Sequence, residues 1–228
     1  ISFDQLWPVI TGPMTMKAFW VSACLFLVFA LAAIHIALIV WNTREFSLYK
    51  KTEAYAKLRN SSAEISLMAV PLTQAMTVNV LFVTGSLLVP GLWEYIEYLF
   101  PLAMLAFVTI GVYALRILGD YFVRMLLHKG YSFEQNNSLA PMVSIFCLSM
   151  IAVGLAAPAA MSHVRETVAI SIALSGFFAT SAALLMIVML VIGFHSMLTH
   201  GIRLEAAPSL WLMIPITTLL GITFMRTT

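Results

Sequence analysis

Long apolar runs, separated by short polar segments, make up most of the chain. Six of these runs hold at least 18 residues with hardly any charge, and at that length a membrane-spanning helix is the expected element. The runs are continuously apolar and do not alternate as the strands of a barrel do. The pattern predicts one all-α, polytopic transmembrane domain across residues 1–228, with helices at about 16–42, 65–89, 97–127, 137–158, 167–196 and 207–226.

The polar segments between the runs alternate in charge. Residues 43–64 and 124–136 carry lysines and arginines, whereas the charged residues around the connection between the second and third helices are Glu94 and Glu97. Cytoplasmic loops are richer in lysine and arginine than the loops on the other side. Loops 43–64, 124–136 and 197–206 are therefore predicted to be cytoplasmic, in a cell membrane that is expected to be bacterial.

The third predicted helix continues past the membrane as an amphipathic, interfacial extension. Asp120 in this extension has Arg116 and Arg124 one turn away on either side, so a local ion pair explains it. Glu64, at the start of the second helix, is expected to be an interfacial charge that the helix dipole favours.

A local pattern recurs on the second, fourth and sixth predicted helices. The sequences MAVPLT, SLAPMVS and LMIPIT each place a proline soon after a polar segment, and Pro71, Pro141 and Pro215 are 70 and then 74 residues apart. Such a period indicates a repeated helical hairpin, and repeats of one orientation can surround an axis along the membrane normal. These three helices are therefore predicted to be inner helices, kinked at proline, around a central pore.

Proline frees a backbone carbonyl and bends a helix, and the freed groups need partners. Each proline has a hydroxyl nearby, although in membrane helices both residue types often serve packing alone. The residues predicted to line a pathway are Pro71, Thr73, Thr77, Pro141, Ser144, Pro215, Thr217 and Thr218. The gate candidates on the same helices are Phe82, Phe146 and Phe224, for each of which packing is the commoner role.

The composition agrees with a protein that has little mass outside the membrane. Hydrophobic residues are 61% and charged residues 10% of the chain, against about 25% charged residues in a soluble domain. The net charge of +2 gives no reason to expect a nucleic-acid partner, and the expected partner is the lipid bilayer. The sequence holds no catalytic, metal-binding or phosphate-binding motif. We therefore expect no enzymatic activity, no metal and no cofactor.

His35 is an ionisable residue well inside the first predicted helix, and such residues are functional candidates. A hydrogen bond to a neighbouring helix is the favoured interpretation, ahead of a proton carrier or a haem ligand paired with His195. The haem interpretation corresponds to a cytochrome b-like subunit of a redox complex, which a missing Soret band would exclude. A further alternative is a non-catalytic membrane anchor that binds a partner through the basic segment 43–64.

The hairpin period, the topology and the segments SAEISLMAVPLT, NNSLAPMVS and APSLWLMIPIT resemble the tellurite-resistance/dicarboxylate transporter family, the fold of bacterial TehA and the plant slow anion channels. Members of that family have ten helices in five hairpins, with kinked inner helices around a central pore. They are commonly trimers in which each protomer has its own pore. They pass anions such as chloride or nitrate, and related members are assigned dicarboxylates or sulfite.

The resemblance implies that this chain corresponds to family helices two to seven. It implies a channel or transporter for a small inorganic anion, sulfite or a dicarboxylate, working as a homo-oligomer that is a trimer in the family. The family's ninth helix, which carries its gating phenylalanine, has no counterpart here, so the resemblance assigns no gate residue. We expect the chain to be part of a longer protein or to assemble with other chains.

Overall fold

The computed structural model describes residues 2–13, 15–127, 139–201 and 204–228, and this part of the chain is helical without strands. Three 3-10 segments, Ser62–Met68, Leu92–Glu94 and Leu204–Leu212, interrupt the α-helices. The α-helices are α1 (Phe3–Thr11), α2 (Met16–Tyr49), α3 (Glu53–Arg59), α4 (Ala69–Leu88), α5 (Ile96–Leu127), α6 (Met142–Leu155), α7 (Ala157–Met161), α8 (Arg165–His200) and α9 (Met213–Thr227).

Among the described residues, six helical stretches are long and apolar enough to cross a membrane, which indicates a membrane protein. The predicted all-α polytopic bundle is thereby confirmed. The stretches are Met16–Tyr49, Ala63–Leu88, Ile96–Arg124, Met142–Met161, Arg165–His200 and Ala207–Thr227.

The helix bounds differ from the predicted ones mainly at polar segments. The first span does not end near 42: α2 continues to Tyr49, so loop 43–64 begins as helix and also contains α3. A charged residue does not by itself end a helix, because arginine, lysine and glutamate are good helix formers. Most of loop 124–136, part of loop 197–206 and the start of the predicted span 137–158 lie outside the described residues.

The bundle has two ends, here called the Glu64 end and the Arg226 end. The helices that cross the bundle alternate in direction, so α2, α5 and α8 finish at the Glu64 end, while α4, α6 and α9 begin there. At the opposite end the Glu97 carboxylate joins two connections. It accepts hydrogen bonds from the Ser162 hydroxyl and from the His163 backbone N–H, each at 2.7 Å.

The three repeat prolines lie at the starts of α-helices. Pro71 and Pro215 are each the third residue of their α-helix and follow a 3-10 segment, and Pro141 immediately precedes α6. The first turn of an α-helix tolerates proline, because its N–H groups have no intrahelical acceptor there. The predicted kink therefore takes the form of a change from 3-10 or turn geometry to α geometry, within two residues of each repeat proline.

The most buried helix is α6. The other two proline helices, α4 and α9, pack on it; α5 contacts α4 and α6, and α8 packs most extensively on α6. A helix that is apolar on all sides is expected at the centre of a bundle, and Ile145, Leu148 and Ile151 are fully buried. By contrast α2 packs on α1 and α4, and its only buried residue is Ala18.

Small residues allow these helices to approach closely. Ser171 of α8 donates a hydrogen bond to the Leu155 carbonyl of α6, and the rings of Phe107 and Phe178 lie directly over Gly154 and Gly111. Since lipid tails are as apolar as leucine, close packing of this kind holds membrane helices together.

Candidate functional site

The Thr77 hydroxyl lies against the first outer helix. Its Oγ1 is 3.0 Å from His35 Nε2 of α2, and it donates its own proton to the Thr73 carbonyl at 2.8 Å. A hydroxyl has a single proton, so His35 Nε2–H must be the donor to Thr77. The hydrogen bond expected for His35 is confirmed.

A groove of about 830 Å³ opens beside this pair at the Glu64 end. Its walls include Thr73 and Gln74 of α4, Asn42 and Glu45 of α2, and Lys50, which follows the last residue of α2. Ile39 and Thr73 line the groove, and they lie four residues, about one helical turn, from His35 and Thr77 respectively. Amide, hydroxyl and charged groups thus line this groove between α2 and α4, together with apolar side chains.

The other predicted pathway residues do not join this groove. Pro71, Pro141 and Ser144 are buried, and the Ser144 hydroxyl donates to the Pro141 carbonyl at 2.7 Å. Pro215 is half-buried, while Thr217 and Thr218 are exposed. Both threonine hydroxyls donate back to carbonyls of their own helix. Within the described part of the chain, the eight candidates therefore do not converge on one lumen.

The gate candidates are also dispersed. Phe82 lines a cavity at the Arg226 end. Phe146 is half-buried and packs against the hydrophobic core, and Phe224 is 66% exposed on α9.

A cluster of ion pairs lies at the Glu64 end of the bundle. The Glu64 side chain is 1% exposed and accepts hydrogen bonds from Arg124, with Nε to Oε2 at 2.7 Å. The Arg59 guanidinium lies 3.3 Å from the same carboxylate of Glu64 and 3.2 Å from the carboxylate of Asp120. Arg124 also lies 3.7 Å from Asp120. Glu64 is thus a buried carboxylate held by two guanidinium groups, where an interfacial charge was predicted, because the 3-10 segment that carries it packs against both α3 and α5.

A second cavity, of about 260 Å³, opens at the Arg226 end. Asn79 and Phe82 of α4, Phe100 and Phe107 of α5, Trp93 and Arg226 are among the residues that line it. Phe100 and Phe107 are 1% and 2% exposed, so their rings form a dry wall.

Arg226 brings a positive charge to this second cavity. One of its terminal nitrogens, Nη1, donates to the Val153 carbonyl of α6 at 2.9 Å. Among the described residues, no carboxylate lies within 4.0 Å of the guanidinium. A guanidinium has five N–H donors, so most of those on Arg226 remain uncommitted.

The two cavities lie on opposite faces of α4. Gln74 lines the groove and Asn79 lines the second cavity, five residues further along the helix, which corresponds to a rise of about 7.5 Å. The helix itself and the residues packed on it separate the two spaces.

Sequence reasoning missed Arg226 and Asn79, although the repeat carries a signal for the latter. Asn79, Ser149 and Thr223 each follow a repeat proline by eight residues. Ser149 and Thr223 are buried, and within the described part of the chain the Ser149 hydroxyl has no hydrogen-bond partner. Arg226 stands at the polar end of an apolar run, where an arginine is ordinarily an interfacial anchor.

Within the described residues, no group of three or more histidine, cysteine, aspartate or glutamate residues is arranged to hold a metal ion. No family model matches the sequence, and no curated protein or solved structure matches it. The family resemblance therefore stays a prediction.

Proposed function

We propose that the protein transports small anions across a cell membrane, as a channel or a secondary transporter. The observation that carries the proposal is the pair of cavities at opposite ends of the bundle, one of which presents the uncommitted guanidinium of Arg226. Two spaces that open at opposite ends and are closed from each other are what a gated or alternating pathway needs.

The charges and donors along this route favour anions. Arg226 faces one cavity without a carboxylate in reach, and the groove offers hydroxyl and amide groups beside Lys50 and Glu45. Thr73 donates to the Val70 carbonyl at 2.8 Å, and turning that hydroxyl towards an anion costs one local hydrogen bond, about 1 kcal/mol. The buried carboxylate of Glu64 is neutralised by arginines and would not repel an anion.

Passage between the two cavities requires α4 to move, because it stands between them. In this proposal the hinge for that movement is the change from 3-10 to α geometry at Met68–Ala69, just before Pro71. Further helices, from other copies in a homo-oligomer such as the family's trimer or from the same polypeptide, would enclose the exposed face of α9. The proposed orientation places the Glu64 end in the cytoplasm, as the basic loops predict.

Flux from proteoliposomes tests this function. We expect efflux that discriminates among chloride, nitrate, sulfite, a monocarboxylate and a C4-dicarboxylate, compared with protein-free vesicles. Thr73→Val should lower the flux about fivefold, because it removes a hydroxyl worth about 1 kcal/mol from the groove wall. Thr109→Val is the matched control, since that threonine is exposed on α5 and bonds only to its own helix.

The Thr217→Val variant distinguishes a pathway through the two cavities from a pore lined by hydroxyls of the three proline helices. A pathway through the two cavities predicts unchanged flux, since Thr217 lines neither of them. A ring of inner-helix hydroxyls predicts a loss similar to that of Thr73→Val. Folded, inserted protein that passes no anion under any condition would contradict the transport proposal.

A further inference from the structure

We infer that the cavity at the Arg226 end binds a small carboxylate that has an apolar body and a single negative charge. The inference rests on the proposed function where it names a transported substrate class. The binding site itself stands on the cavity's own geometry and can be tested without measuring flux.

The first argument is the state of the cation. Arg226 is half-buried, has no carboxylate partner among the described residues and spends one donor on the Val153 carbonyl. That bond lies at the last turn of α6, where the partial negative charge of the helix end compensates only part of a positive charge. A ligand that brings a full negative charge completes the compensation.

The second argument is the shape of the donor group. A guanidinium is a planar fork that matches the two oxygens of a carboxylate. The Trp93 indole lines the same cavity, and its N–H has no partner within the described residues. Two kinds of donor therefore line the cavity that would hold the headgroup of the ligand.

The third argument is the remaining wall. Phe82, Phe100 and Phe107 line the cavity together with Ala103 and Pro158, and a hydrated inorganic ion gains nothing from such a surface. An apolar body does gain, by roughly 25 cal/mol for each Å² removed from water. The volume of about 260 Å³ limits that body to a short branched chain or a single ring.

The fourth argument excludes a dicarboxylate. The described lining offers one cation, and a second carboxylate would have to enter the aromatic part of the cavity without a partner. An unpaired buried charge is expensive. The Asn79 amide nitrogen already donates to the Ala75 carbonyl at 3.1 Å and contacts the Met150 sulfur at 3.4 Å, so it does not supply the missing compensation.

A set of four probes isolates each feature of the ligand. Cyclohexanecarboxylate has the apolar body and one charge, cyclohexanemethanol has the body alone, chloride has the charge alone, and succinate has two charges. Binding to purified protein in nanodiscs is measured by calorimetry and by the emission of Trp93, whose contribution is isolated with the W93F variant.

Three variants isolate the protein's side. Arg226→Gln removes the charge and should weaken cyclohexanecarboxylate binding at least about tenfold, the usual loss for a charge-assisted hydrogen bond. Arg226→Lys keeps the charge but lacks the planar fork of donors, so its affinity for cyclohexanecarboxylate should lie between those of the wild type and Arg226→Gln. Arg116→Gln removes an exposed arginine of α5 and should bind like the wild type.

Ala157→Leu keeps the test valid if Arg226→Gln fails to fold. Ala157 is a half-buried residue of the cavity wall, so a larger side chain there fills the space and leaves Arg226 in place. This variant should lose cyclohexanecarboxylate binding and retain the thermal stability of the wild type.

The expected result is saturable binding of cyclohexanecarboxylate, at least about tenfold tighter than that of the other three probes. The inference would be overturned if cyclohexanecarboxylate did not bind saturably. It would also be overturned if the Arg226→Gln and Ala157→Leu variants bound it as tightly as the wild type, or if chloride or succinate bound the wild type as tightly as cyclohexanecarboxylate does. If cyclohexanecarboxylate binds but no anion flux is seen, the binding site is supported and the transport proposal is contradicted. If anions are transported but cyclohexanecarboxylate does not bind, the binding site is contradicted and the transport proposal is not.

Discussion

At the scale of single residues, two glycines decide how closely the helices pack. Gly111 of α5 and Gly154 of α6 each lie beneath a phenylalanine ring from another helix, so a side chain at either position would collide with that ring. Glycine is useful here for the space it leaves and not for its backbone freedom, since both residues lie inside regular helices.

Gly111→Ala should therefore destabilise the bundle. The added methyl group collides with Phe178, and overpacking of this kind costs about 1–3 kcal/mol. Thermal unfolding in detergent, followed by circular dichroism, measures the loss. Gly119→Ala is the control on the same helix, because a Cβ there meets nothing within 4 Å. Equal melting temperatures for the two variants would contradict the packing argument.

Two arginines show how surroundings assign a role to one residue type. Arg124 is committed to the buried carboxylate of Glu64, and its charge is neutralised within the protein. Among the described residues, the hydrogen-bond partner of Arg226 is a backbone carbonyl. The first arginine therefore belongs to the architecture and the second to the candidate site, although both lie near the ends of apolar runs.

At the scale of elements, the ion cluster joins segments that are far apart in sequence. Glu64 lies in the 3-10 segment before α4, Arg59 ends α3 and Arg124 lies on α5. The cluster thereby fixes the loop over the Glu64 end of the bundle, next to the hinge proposed for α4.

Glu64→Gln should loosen this end of the bundle. Removing one partner of a buried ion pair costs about 3–5 kcal/mol, and we expect about 1–3 kcal/mol here because the arginine side chains are 29% and 31% exposed and water solvates them in part. The free energy of unfolding in urea or sodium dodecyl sulfate measures the change. Glu53→Gln, on exposed α3, is the control, and a loss no larger than the control's would contradict the role given to the cluster.

The repeat is also visible at the scale of elements. Two of the three proline helices begin with a 3-10 segment, and the third begins with a turn. Proline position and preceding polar residues are local properties, so the sequence predicted that each of these helices begins near its proline. Whether proline would kink a helix interior or start a helix depends on the few residues before it, which adopt 3-10 or turn geometry.

At the scale of the whole molecule, the charge pattern predicts a definite orientation. Lys57 lies in the basic segment at the Glu64 end, and Glu94 lies at the opposite end. In a variant without the native cysteines (Cys24→Ser, Cys147→Ala), Glu94→Cys should react with a membrane-impermeant maleimide in intact cells. Lys57→Cys should react only after permeabilisation. The reverse pattern would place the Glu64 end outside and contradict the positive-inside prediction.

The sequence by itself determined that the chain forms apolar helices, roughly where they lie, and that the pattern repeats. Run length, apolar continuity and proline position are short-range properties, and in a lipid environment the backbone has few alternatives to the helix. The hydrogen bond of His35 was also within reach, because a polar group in an apolar surrounding needs a partner.

Only the tertiary structure decided which polar groups meet. The hydroxyl residues expected to share one lumen separate into a groove wall, a hydrogen bond with His35, buried packing and an exposed helix face. Each helix's rotation about its axis is set by its neighbours. Arg226 reaches α6, a partner 73 residues away in sequence, and Arg59 and Arg124 meet at Glu64 from two different helices. No local pattern encodes such meetings, because they depend on the order in which whole helices pack around α6.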